Sequence, residues 1–352
     1  MKIIFIRRSF GFQAGGATAS HAHISTLKKI ADLTLLCESS GDSDAARTNI
    51  VEFTRRKSTR AGSFKDFVKR VQQYITQEAC CVHSHDFIPG ADVIRLGDGL
   101  HSQWLDLRGY PKWWRSIEPF HRYRLSIERQ SLEHKNLKKL IVNSDLIRKA
   151  IESRHPSVNV PIHLIRNIVR ENFYNAEPDF TNVEKTKLLF VGSGWQRKGL
   201  KNAILTLKYL PSEWVLEVIG DDKNKSYYVK LAFSLGLERR VNFIGALKTT
   251  PEIYQKASVL IHPAIYEPFP NVATEALSQG VPVVSSKFSG TSDFTEHEGV
   301  WTIDNEPEQL ALAVKKASSS SAKQRKSYRD HMCQFDLKYL EKELAEVYKD
   351  LK

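Results

Sequence analysis

Short apolar runs alternate with amphipathic stretches along almost the whole chain. KIIFI (2–6), LTLLCE (33–38), ACCVHSHDF (79–87), ADVIRLGDGLH (91–101), LIVNS (140–144) and VPIHLIRNIV (160–169) read as strands in the first half. LLFVG (188–192), WVLEVIG (214–220), RVNFIGAL (240–247), VLIHP (259–263), VPVVSS (281–286) and VWTID (300–304) read as strands in the second. The runs are β-branched and apolar throughout, as expected of strands covered on both faces. Between them SHAHISTLKKI (20–30), SFKDFVKRVQQYITQ (63–77), SIERQSLEHKNLKKL (126–140), SYYVKLAFSLGL (226–237), ATEALSQ (273–279) and PEQLALAVKKAS (307–318) carry helical spacing. The polar stretch 40–62 reads as loops around IVEF, and SSSSAKQRK (318–326) as a surface turn. Strand–helix alternation in both halves predicts an α/β chain with two doubly wound domains. The aperiodic stretch ENFYNAEPDFTNVEK (171–185) marks the junction, which gives domains at 1–170 and 171–335 and a final amphipathic helix in 336–352.

Composition agrees with that division. A chain of 352 residues is long enough for two cores. With 41% hydrophobic and 26% charged residues it is globular rather than disordered. No apolar run approaches the ~20 residues that cross a bilayer. The start, MKIIFIRRSF, reads as a first strand and not as a signal peptide. Cys37, Cys80, Cys81 and Cys333 have no metal or disulfide spacing, which points to buried thiols in a reducing compartment. The net charge of +12 favours an anionic partner: nucleic acid, a membrane surface or a phosphorylated substrate.

The candidate chemistry concentrates in YEPFPNVATEALSQG. Glu267 and Glu275 stand eight positions apart, before and within a short helix. The helix starts at Pro270, Asn271 and Val272, where unpaired N–H groups and the dipole end can seat a phosphate. A carboxylate accepts two hydrogen bonds at once and suits a vicinal diol. One Glu on either side of a phosphate seat therefore fits a sugar nucleotide, although Glu267 as a cap and Glu275 as a solvated position would use the same residues. After LLFVG, the turn at Gly192 leads to Arg197 and Lys198, two cations at a strand–helix junction that can clamp a diphosphate. RVNFIGAL, with Ile244, could offer backbone to a base. Gly15 and Gly16, beside Ala17, let backbone approach a ligand at a strand's carboxyl edge. Asp98 and His101 close ADVIRLGDGLH, where α/β ligands bind. His83 and His85 could chelate a metal, but no third ligand is evident and no metal is expected. Between residues 102 and 140, Trp104, Trp113 and Trp114 are interleaved with Arg108, Lys112 and Arg115. That mixture suits a membrane interface or a phosphorylated glycolipid, with core packing of the tryptophans as the other reading. Pro111 breaks any single helix there.

Together these pieces resemble the family 4 retaining glycosyltransferases of GT-B fold, and among them the glucosyltransferases of the lipopolysaccharide core. GGA (15–17), NSDLIRKAI (143–151), RKG (197–199) and EPFPNVATEALSQGVPVVSS (267–286) carry the likeness, the last most specifically. The resemblance implies two Rossmann-like domains facing a cleft, an acceptor site in the first and a UDP-sugar site in the second. It implies a final helix crossing back to the first domain. It also implies retention of configuration, no cofactor and no metal, with Glu275 on the ribose, Glu267 on the transferred sugar, and Arg197 and Lys198 on the leaving diphosphate. Asp98 or His101 would polarise the acceptor hydroxyl. The expected reaction moves a hexose, glucose first, from a UDP-sugar to a lipopolysaccharide-core or related lipid-linked or phosphorylated glycan. The expected place is the cytoplasmic face of a bacterial inner membrane, held by its anionic surface. The chain departs from the family where an Asn-Gly-Val-Asp turn is common: it has Asn167-Ile168-Val169-Arg170. Two other readings remain. A sugar-nucleotide epimerase of this fold would not need the aromatic–basic segment. A basic nucleic-acid-binding protein would leave Glu267 and Glu275 without a role, so no nucleic-acid partner is expected.

Overall fold

Thirteen strands build two parallel sheets in the computed structural model, which describes residues 1–10, 15–39, 49–78, 80–181 and 183–351. The first sheet contains β1 (Lys2–Ile6), β2 (Asp32–Cys37), β3 (Asn49–Glu52), β4 (Cys81–Ser84), β5 (Val93–Arg95), β6 (Lys139–Val142) and β7 (Ile162–Leu164). Its spatial order is β3-β2-β1-β4-β5-β6-β7. The second contains β8 (Lys187–Val191), β9 (Val215–Ile219), β10 (Val241–Gly245), β11 (Val259–His262), β12 (Val283–Ser286) and β13 (Val300–Ile303), in the order β10-β9-β8-β11-β12-β13. The chain divides accordingly into unit 1, Met1–Arg166 with Leu337–Lys352, and unit 2, Asn167–Asp336.

The burial pattern follows from sheet position. Central β8 and β12 are buried at every residue, because helices cover both faces. Edge β10 alternates between buried or half-buried and exposed positions, and edge β7 is half-buried throughout. Each sheet reverses its strand order once, at β1/β4 in unit 1 and at β8/β11 in unit 2. Ligands of open α/β sheets bind outside the carboxyl ends of the strands at such a point. By topology, a ligand is expected at the loops after β1, β4, β8 and β11.

Several elements depart from the sequence reading. The strand expected over 91–101 ends at Arg95. Gly99, with φ +73, turns the chain, and His101 opens a helix, His101–Leu107. The helix expected over 126–140 belongs to Pro119–Leu132, and its last residues, KL of LKKL, enter β6. SSSSAKQRK is not a surface turn. Ser321 and Gln324 form a capping box that opens the helix Ala322–Met332. The expected junction peptide contains a helical turn, Glu171–Tyr174, whose Phe173 is fully buried in the core of unit 2. The final helix, Leu337–Tyr348, packs in unit 1, where the Tyr348 hydroxyl lies 2.6 Å from His83 Nδ1. Loop residues 40–48 lie outside the described residues.

Candidate functional site

In unit 2 the site begins where β8 ends. Gly192 has φ +127, and a side chain there would meet the Lys198 Cε at 2.7 Å, so the lysine lies across the glycine backbone. Trp195 is fully buried and anchors the next turn by donating its indole N–H to the Gly192 carbonyl at 2.8 Å. The helical turn Trp195–Lys198 then presents Arg197 and Lys198. The Arg197 carbonyl accepts the Ile265 amide at 2.8 Å, which ties this turn to the loop after β11.

That loop carries Glu267. Its amide donates to the Phe288 carbonyl at 3.0 Å and its carbonyl accepts the Gly290 amide at 2.9 Å, so its backbone is held from both sides. Its carboxylate lies 2.6 Å from Arg197 Nη1, 3.6 Å from Lys198 Nζ and 3.9 Å from His262 Nε2. Burial pushes the Glu267 carboxyl up, but Lys198 and Arg197 outweigh it and hold it below its ordinary value. Burial holds Lys198 below the usual lysine value, against the pull of Glu267. His262, buried at the end of β11 and beside Lys198, is depressed to about 3 and is neutral. The result is an ionised carboxylate among two cations and a neutral imidazole, with side chains 15%, 35% and 12% exposed for Glu267, Arg197 and Lys198.

Glu275 has a different setting. It lies in the helix Asn271–Ser278 and is 6% exposed. Both of its oxygens have protein partners: Oε1 is 2.8 Å from Arg170 Nη2, and Oε2 accepts the Tyr254 hydroxyl at 2.5 Å. Arg170 Nη2 also donates to Thr249 Oγ1 at 2.7 Å. Burial raises the Glu275 carboxyl above its ordinary value, and Arg170 opposes the rise. The Tyr254 hydroxyl, fully buried, is raised far enough to stay protonated. At the helix start, Asn167 Nδ2 donates to Asn271 Oδ1 at 2.6 Å. Pro270 is the N-cap and Val272 follows in the first turn. Ile244, 47% exposed, lies on edge strand β10.

In unit 1, Gly15, Gly16 and Ala17 open the helix Gly15–Leu27, and their surroundings lie outside the described residues. Asp98 lies in the turn after β5, 58% exposed, with Arg7 Nη1 at 2.7 Å. Arg7, by its charge and its hydrogen bond, holds the carboxyl below the ordinary value. His101 is not at a strand end. Its backbone N–H donates to buried Glu128 at 2.5 Å, and its Nε2 lies 2.9 Å from His121 Nδ1. Burial, with Arg124 second, depresses it to about 3, so the ring is neutral.

His83 and His85 acquire the third neighbour that spacing did not reveal. His23, from the helix Gly15–Leu27, brings one ligand nitrogen of each ring within 4.8 Å of the others. Burial, and Arg95 alongside, depress all three. The neutral rings are in ligand form, but the guanidinium of Arg95 opposes a dication placed among them. The ordinary role is structural: Ser20 Oγ lies 2.9 Å from His85 Nδ1, and Tyr348 bonds His83.

The aromatic–basic segment divides in two. Trp114 stacks on Tyr110 at 4.6 Å, and Trp104 on His101 at 5.5 Å. Arg108 lies 5.2 Å over the Trp104 ring. Arg115 is bound to Asp106 and donates to the Tyr110 carbonyl at 2.8 Å. Trp104, Trp114 and Arg115 thus build the segment, whereas Trp113 and Ile117 are 65% and 67% exposed. The Lys112 side chain lies outside the described residues. No helix among the described residues is long and apolar enough to cross a membrane.

Sequence reasoning missed Arg170, Tyr254 and His262. His262 had a usable signal, since it ends a strand at the switch point, the rule already applied to Asp98.

Residues 175–331 match the family described as glycosyl transferases group 1. Lipopolysaccharide glucosyltransferase WaaG of Escherichia coli K12 is 32% identical over 145 residues, 39% of this chain and 38% of that protein. The matched stretch spans less than half the length of the curated relatives. The crystal structure of WaaG superposes with a TM-score of 0.82 at 20% identity, covering 98% of this chain and 99% of that one. Anabaena Alr3699/HepE in complex with UDP and glucose superposes at 0.75, with 19% identity over 99% of this chain and 100% of that one. The fold, two parallel-sheet Rossmann-like units, is that of those GT-B structures.

Proposed function

We propose that the chain transfers a hexose, glucose first, from a UDP-sugar to a lipopolysaccharide-core or related glycolipid, with retention of configuration; the match of residues 175–331 to the glycosyl transferases group 1 supports this reading. The observation that carries this reading is the Arg197–Lys198–Glu267 cluster at the switch point of unit 2. Charge develops on the diphosphate as the glycosidic bond breaks. Two fixed cations in a half-buried site stabilise that charge without reorganising. Glu267, held ionised by the same cations, faces the sugar hydroxyls as an acceptor, and Glu275 takes the ribose. Arg197 and Lys198 supply the countercharge that a divalent ion would otherwise bring, so the reaction needs no metal. The HepE structures with UDP, UDP and glucose, and UDP-glucose support the donor class.

On the acceptor side, Asp98 is the proposed base or orienting group. It is exposed and held ionised by Arg7, whereas the His101 Nε2 is already engaged by His121. Exposed Trp113 and Ile117 would rest against an anionic membrane, where a lipid-linked acceptor is confined.

A panel of nucleotide sugars tests the reading. Incubated with the protein alone and with EDTA, a UDP-hexose should be hydrolysed slowly to UDP and free sugar in both. Hydrolysis of none, or loss in EDTA restored by a divalent ion, refutes it.

A further inference from the structure

Glu275 has both oxygens committed before any ligand arrives. Oε2 takes the Tyr254 hydroxyl and Oε1 takes Arg170. Thr249 also hydrogen-bonds the group, so of about four lone-pair sites on a carboxylate one remains for the diol, and only while the group is ionised. Ionisation is the difficulty, because Glu275 is almost fully buried and burial favours the neutral acid.

We propose that Arg170 is the positioning residue of the ribose-side carboxylate: it keeps Glu275 ionised and aims its remaining lone pair at the diol. The proposal rests on the reading of Glu275 as the ribose contact. Arg170 is itself fixed. Its Nη2 is shared with Thr249 Oγ1 at 2.7 Å, and its guanidinium lies 4.6 Å over the Phe173 ring, which is fully buried. Arg170 is the strongest charge acting on Glu275. Tyr254 and Thr249 face it as neutral hydroxyls, and Lys198 is close enough to feel its charge. Tyr254 can orient the carboxylate but cannot neutralise it. Lys198 is already shared with Glu267.

Arg170 touches no ligand in this scheme, so its removal has a signature that mere loss of packing lacks. Without the guanidinium, burial pushes the Glu275 carboxyl further up, so the protonated form gains most at lower pH. UDP is titrated calorimetrically at pH 6.5 and pH 8.5 into the wild type, Arg170→Ala, Arg170→Lys and Glu275→Gln. Arg170→Ala should weaken UDP several-fold more at the lower pH than at the higher, as expected when one opposite charge beside a buried carboxyl is lost. Arg170→Lys should recover most of the loss, and Glu275→Gln should be weak at both pH values. An Arg170→Ala protein that binds UDP as the wild type does, or is weakened equally at both pH values, overturns the proposal. If Glu275→Gln itself binds UDP normally, the ribose reading falls, independently of Arg170.

Discussion

Gly199 joins the turn that carries Arg197 and Lys198 to the helix Leu200–Thr206, and its replacement by alanine is the most severe small change the structure identifies. Its φ is +80, and an added Cβ would lie 1.8 Å from the Pro263 carbonyl oxygen and 2.7 Å from its carbon. Gly194, at the other end of the same turn, has φ +71 but nothing within 4 Å of an added Cβ. The pair separates two costs. Gly194→Ala incurs only the left-handed conformation, about 1–2 kcal/mol. Gly199→Ala adds a collision with backbone, which no rotamer relieves. The turn must move away from the loop after β11, stretching the bond from the Ile265 amide to the Arg197 carbonyl. Overpacking of that kind adds roughly 2–3 kcal/mol, for a total of about 3–5 kcal/mol. At about 2–4 °C per kcal/mol for a unit of this size, calorimetry should show a Tm loss of about 2–8 °C for Gly194→Ala and about 6–20 °C for Gly199→Ala, about two to three times larger at any one conversion. UDP affinity should fall in the second variant and hold in the first. Equal Tm losses would refute the collision argument.

Three further outcomes are expected. Glu267→Ala should leave UDP affinity intact while weakening a UDP-hexose about ten-fold or more, the loss of hydrogen bonds to a charged group, and calorimetric titration with both ligands would show an equal effect if the division of labour is wrong. Lys198→Ala should lower kcat more than it raises KM. Because burial holds Lys198 below its ordinary value of 10.5, wild-type turnover should decline with rising pH before that value is reached, and Lys198→Arg should carry the decline to higher pH. A pH–rate profile unchanged by Lys198→Arg would place the titration elsewhere. Replacing Trp113 and Ile117 together with serine should abolish sedimentation with anionic liposomes at low salt without altering UDP affinity, and full sedimentation of that variant would show that another surface binds.

Much of the fold could be read from the strands, because a parallel strand covered on both faces is apolar at nearly every position. KLLFV and VVSS needed no partner to be recognised. What misled was punctuation. The apolar run through LGDGLH looked like strand until Gly99 turned it, and the serines before Ala322 concealed a capping box in plain view. At the site, Arg197, Lys198 and Glu267 were legible because each lies a few residues past a strand end. The partners of Glu275 were not. Arg170 and Tyr254 reach it from separate segments of unit 2, and a lone Arg or Tyr carries no mark of the carboxylate it will meet. His23 was hidden from His83 and His85 for the same reason.

The return of the helix Leu337–Tyr348 to unit 1 has a consequence for how the protein is made. Unit 2 is contiguous, complete once Asp336 has been synthesised. Unit 1 is not: its first strand leads the chain, yet the Tyr348 hydroxyl that meets His83 lies 265 residues farther on. Domains ordinarily fold from the amino terminus as the chain emerges. Here the unit encoded second is the first to possess all of its own chain. Unit 1 lacks one of its helices until residues 337–348 have been made. Folding of unit 2 in the meantime replaces a long floppy loop by a compact insert, shortening the search by which the two pieces of unit 1 find each other.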